Sequence, residues 1–338
     1  MSVCIPAYNS ERTIGAALDS VWNQTFEDFE VIVSDDCSTD STPAILAAQS
    51  DPRLRVLRNA RNVKAPANGN RALAHARGRL IKFLDADDVL FADCIARMVE
   101  LADADADVGL VFCRRALALE DPDNVDARHW STRFGDVSAP FGELEPLNSG
   151  PALFARWARH GFDANLVGEP LVVMLRREVL ERSGGFNPNI RQRFDGDLWA
   201  RIMPLCTVGF IAEQLGRYRV PAASLTTRNH QLRLDWLDQL WTLEGLRCLP
   251  EATAATSALV GLHEQERRRV GWELRELLRR EVPARWTRLA DARRMASWLL
   301  RKRLDPSARP FPRVGPPAPN APVPAPHVAN ATSASLPG

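Results

Sequence analysis

The chain has 338 residues, 45% of them apolar and 25% charged, with a formal net charge of +1, proportions ordinary for a soluble globular protein with ample material for a core. Its six cysteines are scattered without a CxxC pair, which argues against a zinc site or a disulfide framework and fits a reducing cytosol. No export signal and no run of 18 apolar residues is visible, so the expected location is cytoplasmic.

Residues 3–5 read as a strand, followed by a helix that Ser10 caps and that runs to about Trp22, with Ile14, Ala17, Leu18 and Val21 on one face. Residues 29–34 form a second, β-branched strand, and Thr42-Pro43 opens a helix reaching about Gln49. Residues 54–57 make a third strand, and residues 68–76 a helix ended by Gly78. A fourth, buried strand covers 79–84, a helix covers 92–101, and another strand covers 108–113. This alternation predicts an α/β fold with a mostly parallel central sheet flanked by helices on both faces.

Residues 114–169 mix Gly, Pro, Asp and aromatics around one helix at 151–160, and read as irregular connection of the kind that carries substrate specificity. A strand at 171–175, a helix at 177–182 stopped by Gly184-Gly185, a helix at 197–205 and short strands near 208–212 and 217–220 follow. Amphipathic helices are predicted at 232–249, 262–278 and 286–304. Beyond Asp305 the chain turns to Pro, Ala, Ser and Asn and is expected to be disordered. The division is therefore an α/β domain over 1–228, a helical extension over 229–304 and a tail over 305–338.

The sharpest feature is Phe83-Leu84-Asp85-Ala86-Asp87-Asp88, an apolar strand that ends abruptly in three carboxylates. Two Asp one residue apart repel unless a cation or a basic side chain lies between them. Hard oxygen ligands that close together suit Mg²⁺ or Mn²⁺, which in turn suit a substrate carrying phosphates. A second acidic cluster, Asp35-Asp36-Cys37-Ser38-Thr39-Asp40, stands at the end of the second strand, where it also reads as a polar turn capping the next helix. Parallel strands aim their C-terminal ends the same way, so Tyr8, Asp35 or Asp36, and Asp85 with Asp87 converge on one rim, the edge where open α/β sheets bind ligands. An aromatic, an acceptor for a base N–H and a metal-binding pair together describe a nucleotide diphosphate site.

With these residues in place the chain resembles the family 2 glycosyltransferases, which have the GT-A fold. The likeness rests on Val3-Cys4-Ile5-Pro6-Ala7-Tyr8-Asn9, on the two acidic motifs, on Gly184-Gly185-Phe186, on residues 195–201 and on Tyr218-Arg219, in family order over roughly residues 1–228. The resemblance implies an inverting, metal-dependent transfer of a sugar from a nucleotide-diphospho-sugar, uridine-linked by family analogy, to a hydroxyl of a glycan or lipid-linked acceptor. It implies a nucleotide-sugar-binding half at 1–113 and an acceptor-binding half at 114–228. Pro6, Ala7 and Tyr8 would line the nucleobase pocket, and Asp35 or Asp36 would bond the base. Asn70, Arg71, Asp85 and Ala86 would complete the donor site. Asp85 and Asp87 form the DxD element that holds Mn²⁺ or Mg²⁺, with Asp87 the more direct ligand. Asp195 matches the general base. A catalytically silent binding protein and a nucleotidyltransferase are the competing readings.

Several positions depart from the family pattern. Phe194 stands where Glu commonly precedes the base, and Cys37 stands where Gly is usual. Asn68-Gly69-Asn70 replaces Ala-Arg-Asn, leaving Arg71 or Lys64 to serve near the phosphates. Pro221 replaces a His near the metal, and His230 is a lone His nearby. Asp195 is expected to point from a loop while Asp197 caps the following helix, Trp199 is expected to pack in the core, and Glu169 faces either the acceptor pocket or solvent. From Glu266 to Arg303 the chain carries 13 Arg or Lys against 5 acids, interleaved with Trp272, Trp286 and Trp298. Residues 284–304 therefore read either as an interfacial helix on an anionic membrane or as a packed helix with a solvated basic face. No nucleic-acid module accompanies the charge, so no nucleic acid is expected.

Overall fold

The computed structural model describes the chain except residues 122, 126–127, 129–130, 133–134, 163, 221–234, 280–284, 306 and 316–338, and gives only the backbone for 278–279 and 285–286. At its centre β1 (Ser2–Ala7) lies between β2 (Glu30–Asp35) and β4 (Leu80–Phe83), parallel to both, with β3 (Leu54–Arg58) parallel on the far side of β2. Val3, Cys4, Ile5, Val31, Ile32 and Val33 have no exposed area, as strands covered on both faces require. β3 is the edge, and it carries Arg55 and Arg58, charges that discourage further pairing.

On the other side β4 meets β8 (Val173–Arg176), and beyond β8 come β6 (Val108–Leu119) and β9 (Thr207–Val220). β8 is antiparallel to both β4 and β6, and β6 is parallel to β9. Two reversals cancel, so β6 and β9 run in the direction of β1. The short strands β5 (Val89–Leu90) and β7 (Leu147–Ser149) pair antiparallel to β9. Six strands of the nine thus share one direction, and the mostly parallel α/β sheet expected from the alternation is present. The expected pair of short strands near 208–220 is one bulged strand, β9, whose register against β6 shifts near Cys113 and Arg114.

The helices of the α/β part are α1 (Ile14–Trp22), α2 (Thr42–Ala47), α3 (Ala65–His75), α4 (Cys94–Asp103), α5 (Gly150–Arg159), α6 (Arg177–Ser183) and α7 (Phe194–Ile202). α1 buries Ile14, Ala17, Leu18 and Val21, the face its periodicity predicts, and the Ser10 carbonyl accepts from the Thr13 and Ile14 N–H groups at its start. After α3, Gly78 is required by a close approach: a Cβ there would lie 2.5 Å from the Met1 carbonyl carbon. Lys82 is fully buried in the middle of β4. Its ammonium donates to the Pro170 and Val173 carbonyls at 3.2 Å and to that of Leu171, tying β4 to the 3-10 turn Pro170–Val172 that precedes β8. Burial lowers its pKa, and the carbonyl cage is what satisfies its donors.

The carboxy-terminal helices α8 (Asp238–Leu246), α9 (Pro250–Ala255), α10 (Ala258–Arg279) and α11 (Arg285–Leu304) pack against this domain. A second apolar cluster joins Ile190 with Trp236, Leu237, Leu240, Trp241, Met295 and Trp298. Arg191, in the segment leading to α7, makes a bidentate pair with Asp291 of α11 at 3.0 and 2.7 Å. One side of α11 is therefore packed, with Met295 and Trp298 buried, as the packed reading of 284–304 expects, while Leu300 and Leu304 are exposed. Among the described residues no helix is long and apolar enough to cross a membrane.

The expectation that everything past Asp305 is unstructured is also corrected. Phe311 is buried, Val314 packs on the main core, the Gly185 N–H donates to the Pro312 carbonyl at 3.0 Å, and Arg309 donates to the Arg182 carbonyl at 3.1 Å. Composition misled here because a proline-rich segment needs only one aromatic side chain and a few carbonyls to be anchored.

Candidate active site

Strand register builds one side of the site. Ala7 of β1 pairs with Asp35 of β2, which pairs with Arg58 of β3, so the carboxyl ends of three strands lie side by side. The Leu84 N–H donates to the Cys4 carbonyl at 3.0 Å, which sets the Asp85-Ala86-Asp87 turn beside the same edge. Tyr8 leaves β1 with 49% of its surface exposed, an unusual expense for an aromatic ring unless it is used at the surface. The loops after β1 and β2 are stitched together. Asn9 N–H donates to Ser38 Oγ at 2.9 Å, Thr39 N–H to Asn9 Oδ1 at 2.9 Å, and Glu11 N–H to Asp40 Oδ2 at 3.0 Å.

The two acids of the second motif have different surroundings. Asp36 accepts from Asn59 Nδ2 at 2.7 Å, from the Val63 N–H at 2.8 Å and from the Lys64 N–H at 2.9 Å, so its carboxylate shapes the 59–64 loop. Asp35 accepts the Ser38 N–H through Oδ1 at 3.1 Å, while its Oδ2 lies 3.3 Å from Arg58 Nε and accepts no hydrogen bond. Cys37, between the two motif halves, sits at φ 62°, the left-handed region for which the family's glycine is suited.

Asp85, Asp87, Asp88, Glu169 and Asp195 converge on the other side. Asp88 is buried and accepts the Arg219 N–H at 2.9 Å through Oδ1, while its Oδ2 is buried without a partner. Burial first, then the charges of Asp87, Asp195 and Glu169, push the Asp85 carboxyl up to about 8. Glu169 is held by an ion pair with Arg115, whose Nη2 donates to Oε1 at 3.0 Å and whose Nε lies 2.6 Å from Oε2, and the Arg115 guanidinium lies 5.6 Å from the Tyr218 ring centre. Of the two alternatives for Glu169, solvent is thus the wrong one. Asp195 is pushed up to about 7, chiefly by burial and against the opposing hydrogen bond from the Gly196 N–H at 2.7 Å; Asn165 Nδ2 donates to its Oδ2 at 3.0 Å. Asp195 lies in the first turn of α7 and not in a loop before it, because the helix starts three residues earlier than its pattern predicts.

Asp197 and Arg201 form a buried pair at 2.8 Å one turn apart, and Arg201 also donates to the Ser183 carbonyl at 2.6 Å and the Gly185 carbonyl at 2.8 Å. That clamp fixes the Gly184-Gly185 turn, where Gly184 has φ 79°. Asn70 is committed to the same turn: its Nδ2 donates to the Phe186 carbonyl and its Oδ1 accepts the Phe186 N–H, both at 2.8 Å. Each end of its amide thus bonds that turn, a holding role the donor-site expectation did not include. Phe194 packs edge-on against Phe186 at 5.5 Å, and Phe186 against Phe83 at 4.9 Å, so the side chain in the family's Glu position supports the strand that carries the DxD element. Trp199 is fully buried, the core role expected of it. Arg71 donates to Asn59 Oδ1, and Lys64, at φ 77°, forms the entry to α3. Pro221 and His230 lie outside the described residues.

Among the described residues no group of three or more His, Cys, Asp or Glu side chains is assembled to hold a metal by itself. Asp85 and Asp87 are hard oxygen donors that would fit a divalent cation taking its remaining ligands from elsewhere. Asp87 is exposed, Asp85 is half-buried beside it, and the excess negative charge that raises Asp85 is what a divalent cation would relieve. Sequence reasoning missed Asn165, the Arg115–Glu169 pair and the Lys82 cage. Only Lys82 left a signal, as a lone charge inside an apolar strand.

The description "glycosyl transferase family 2" matches residues 2–154. The chain is 36% identical over 239 residues to uncharacterized protein MT1568 of Mycobacterium tuberculosis, covering 71% of this chain and 73% of that one. It is 31% identical over 234 residues to the putative teichuronic acid biosynthesis glycosyltransferase TuaG of Bacillus subtilis, covering 67% of this chain and 81% of TuaG. The chain belongs to glycosyl transferase family 2. As a family 2 glycosyltransferase it is also 38% identical over 101 residues to the Escherichia coli enzyme WfgD, a UDP-Glc:alpha-D-GlcNAc-diphosphoundecaprenol beta-1,3-glucosyltransferase, but that alignment spans only 30% of this chain and 40% of WfgD.

Solved structures share the GT-A-like fold of this family 2 glycosyltransferase. TarS 1-349 of S. aureus in complex with UDP-GlcNAc superposes with a TM-score of 0.60 at 18% identity, over 77% of this chain and 70% of that one. The mannosyltransferase PcManGT of Pyrobaculum calidifontis in complex with GDP-Man and Mn²⁺ gives 0.51 at 20% identity, over 91% and 87%.

Proposed function

We propose that this family 2 glycosyltransferase moves a sugar, with inversion at the anomeric carbon, from a nucleoside diphosphate sugar to a hydroxyl of a glycan or lipid-linked acceptor. The observation that carries the reading is the placement of Asp195 beside the acidic turn that ends β4, with burial holding its pKa near 7. A base there is half-ionised at neutral pH, where proton abstraction is most effective. Asp195 takes the acceptor hydroxyl proton, the oxygen attacks the anomeric carbon from the face opposite the leaving group, and the nucleoside diphosphate departs with the bonding electron pair.

On the donor side, Tyr8 offers its exposed ring to the nucleobase, with Pro6 and Ala7 behind it. Asp35 is the better of the two candidates for a base N–H, since its Oδ2 accepts no hydrogen bond while Asp36 already accepts three. A carboxylate reading an N–H suits a uridine-type base. Asp85 and Asp87 would hold Mg²⁺ or Mn²⁺, which when bound supplies charge stabilisation to the departing diphosphate. Ala86 between them keeps that turn small, and Arg71 is the nearest basic replacement for the one the family usually carries. The lipid-linked acceptor is supported by what WfgD acts on, and the metal by what PcManGT was crystallised with.

Calorimetry of UDP binding with and without Mn²⁺ tests the donor half. Asp87→Ala is expected to abolish the metal-dependent gain while leaving the melting temperature in place; an unchanged Mn²⁺-dependent affinity would sink the DxD assignment.

A further inference from the structure

A cavity of about 530 Å³ opens between α11 and the chain that follows it, and none of its lining residues belongs to the acidic site. Arg293, Arg294, Ser297, Trp298 and Arg301 line it from one helix. Their spacings of three and four place them in two adjacent rows on one face, so Arg293 and Arg294 rise from one turn and Arg301 from about two turns further on. Arg309 completes the wall from the segment past α11, held in place by its bond to the Arg182 carbonyl.

Most arginines of this protein are spent on carboxylates or carbonyls. Arg294 pairs with Asp291, whose other partner is Arg191. Arg293 and Arg301, by contrast, are exposed and have no partner for their side chains among the described residues. Trp298 also lines the cavity, with only 6% of its surface exposed. No acidic side chain lines the cavity.

We infer that this cavity is an anion site for a phosphate or diphosphate group, bound by Arg293, Arg301 and Arg309. Arginine forks match phosphate oxygens in bidentate fashion, and two unpaired guanidinium groups balance a doubly charged oxyanion. The oxyanion can belong to a soluble phosphorylated molecule or to the headgroup of a lipid; the chemistry of recognition is the same.

The test is calorimetric titration of inorganic pyrophosphate into the full chain in EDTA, which removes metal-dependent binding at the acidic turn. Saturable binding is expected, weakened about tenfold or more in the double variant Arg293→Gln/Arg301→Gln and unchanged in Asp87→Ala. Both substituted arginines are exposed and unpaired, so the double variant is expected to melt as the parent does. Absence of saturable binding, or equal binding by the double variant, overturns the site. Sedimentation with vesicles containing phosphatidic acid separates the two sources. Binding that the double variant loses and pyrophosphate displaces assigns the oxyanion to a lipid headgroup, and its absence assigns it to a soluble ligand.

Discussion

Asn70 and Phe186, 116 residues apart, exchange two hydrogen bonds of 2.8 Å, the side-chain amide of one meeting the backbone N–H and C=O of the other. The amide behaves as a strand partner would, and it joins α3 to the Gly184-Gly185-Phe186 turn that follows α6. A Cβ on Gly185 would lie 2.4 Å from Asn70 Oδ1, so the contact also explains the second glycine.

Asn70→Asp keeps the acceptor and loses the donor, leaving the Phe186 carbonyl unmet beside a carboxylate. The expected loss is about 1–3 kcal/mol in urea denaturation. Equal stability with a raised KM for the donor would instead favour the nucleotide-site role of Asn70.

With Asp195 as the proposed base, a pH dependence of transfer is expected. Its carboxyl must be ionised to accept a proton, so kcat/KM should rise with pH through an apparent pKa of about 7. Asn165 donates to the ionised form, and Asn165→Ala should shift that limb upward, with a larger loss at pH 6.5 than at pH 8.5. The sign for stability is opposite. A carboxyl whose folded pKa lies above its unfolded value makes the native state bind more protons between about 4 and 7, so this group's contribution falls as pH rises across that window. Asp195→Asn should remove that slope along with the activity, and a pH–rate profile unmoved by either substitution would remove Asp195 from the base role.

Cys37 holds a left-handed backbone angle that costs an L-residue about 1–2 kcal/mol. Cys37→Gly should therefore stabilise the protein by about 1 kcal/mol, offset in part by the greater freedom of glycine in the unfolded chain. A β-branched replacement such as Cys37→Val should destabilise it. Thermal melts of the two variants moving in the same direction would contradict the strain.

Two truncations distinguish an anchored tail from a passive one. Ending the chain after residue 315 should leave the melting temperature unchanged. Ending it after Asp305 removes Phe311, which is buried with the Arg201 guanidinium 4.0 Å from its ring centre, and should cost about 3 kcal/mol. Phe311→Ala in the full chain should reproduce most of that loss.

Local pattern determined much of this protein. The apolar runs of β1, β2 and β4, the face of α1 and the abrupt acids after Phe83 are consequences of neighbouring residues, and they carried the α/β sheet, the family and the donor-side acids. They carried them because strand burial and the carboxyl-end rim are properties of a few adjacent positions. Which acid is free and which is used lies beyond such reach. Asp36 and Asn70 match their motifs as well as Asp35 does, yet one bonds the 59–64 loop and the other Phe186, contacts that exist only once distant segments meet. The same holds for the pKa of Asp195, set by burial and by Asn165 and Glu169, and for α11, one side of which packs with Ile190 and Trp241. Residue type and spacing state what a side chain is able to do; desolvation and partner geometry, which need the folded chain, decide what it does.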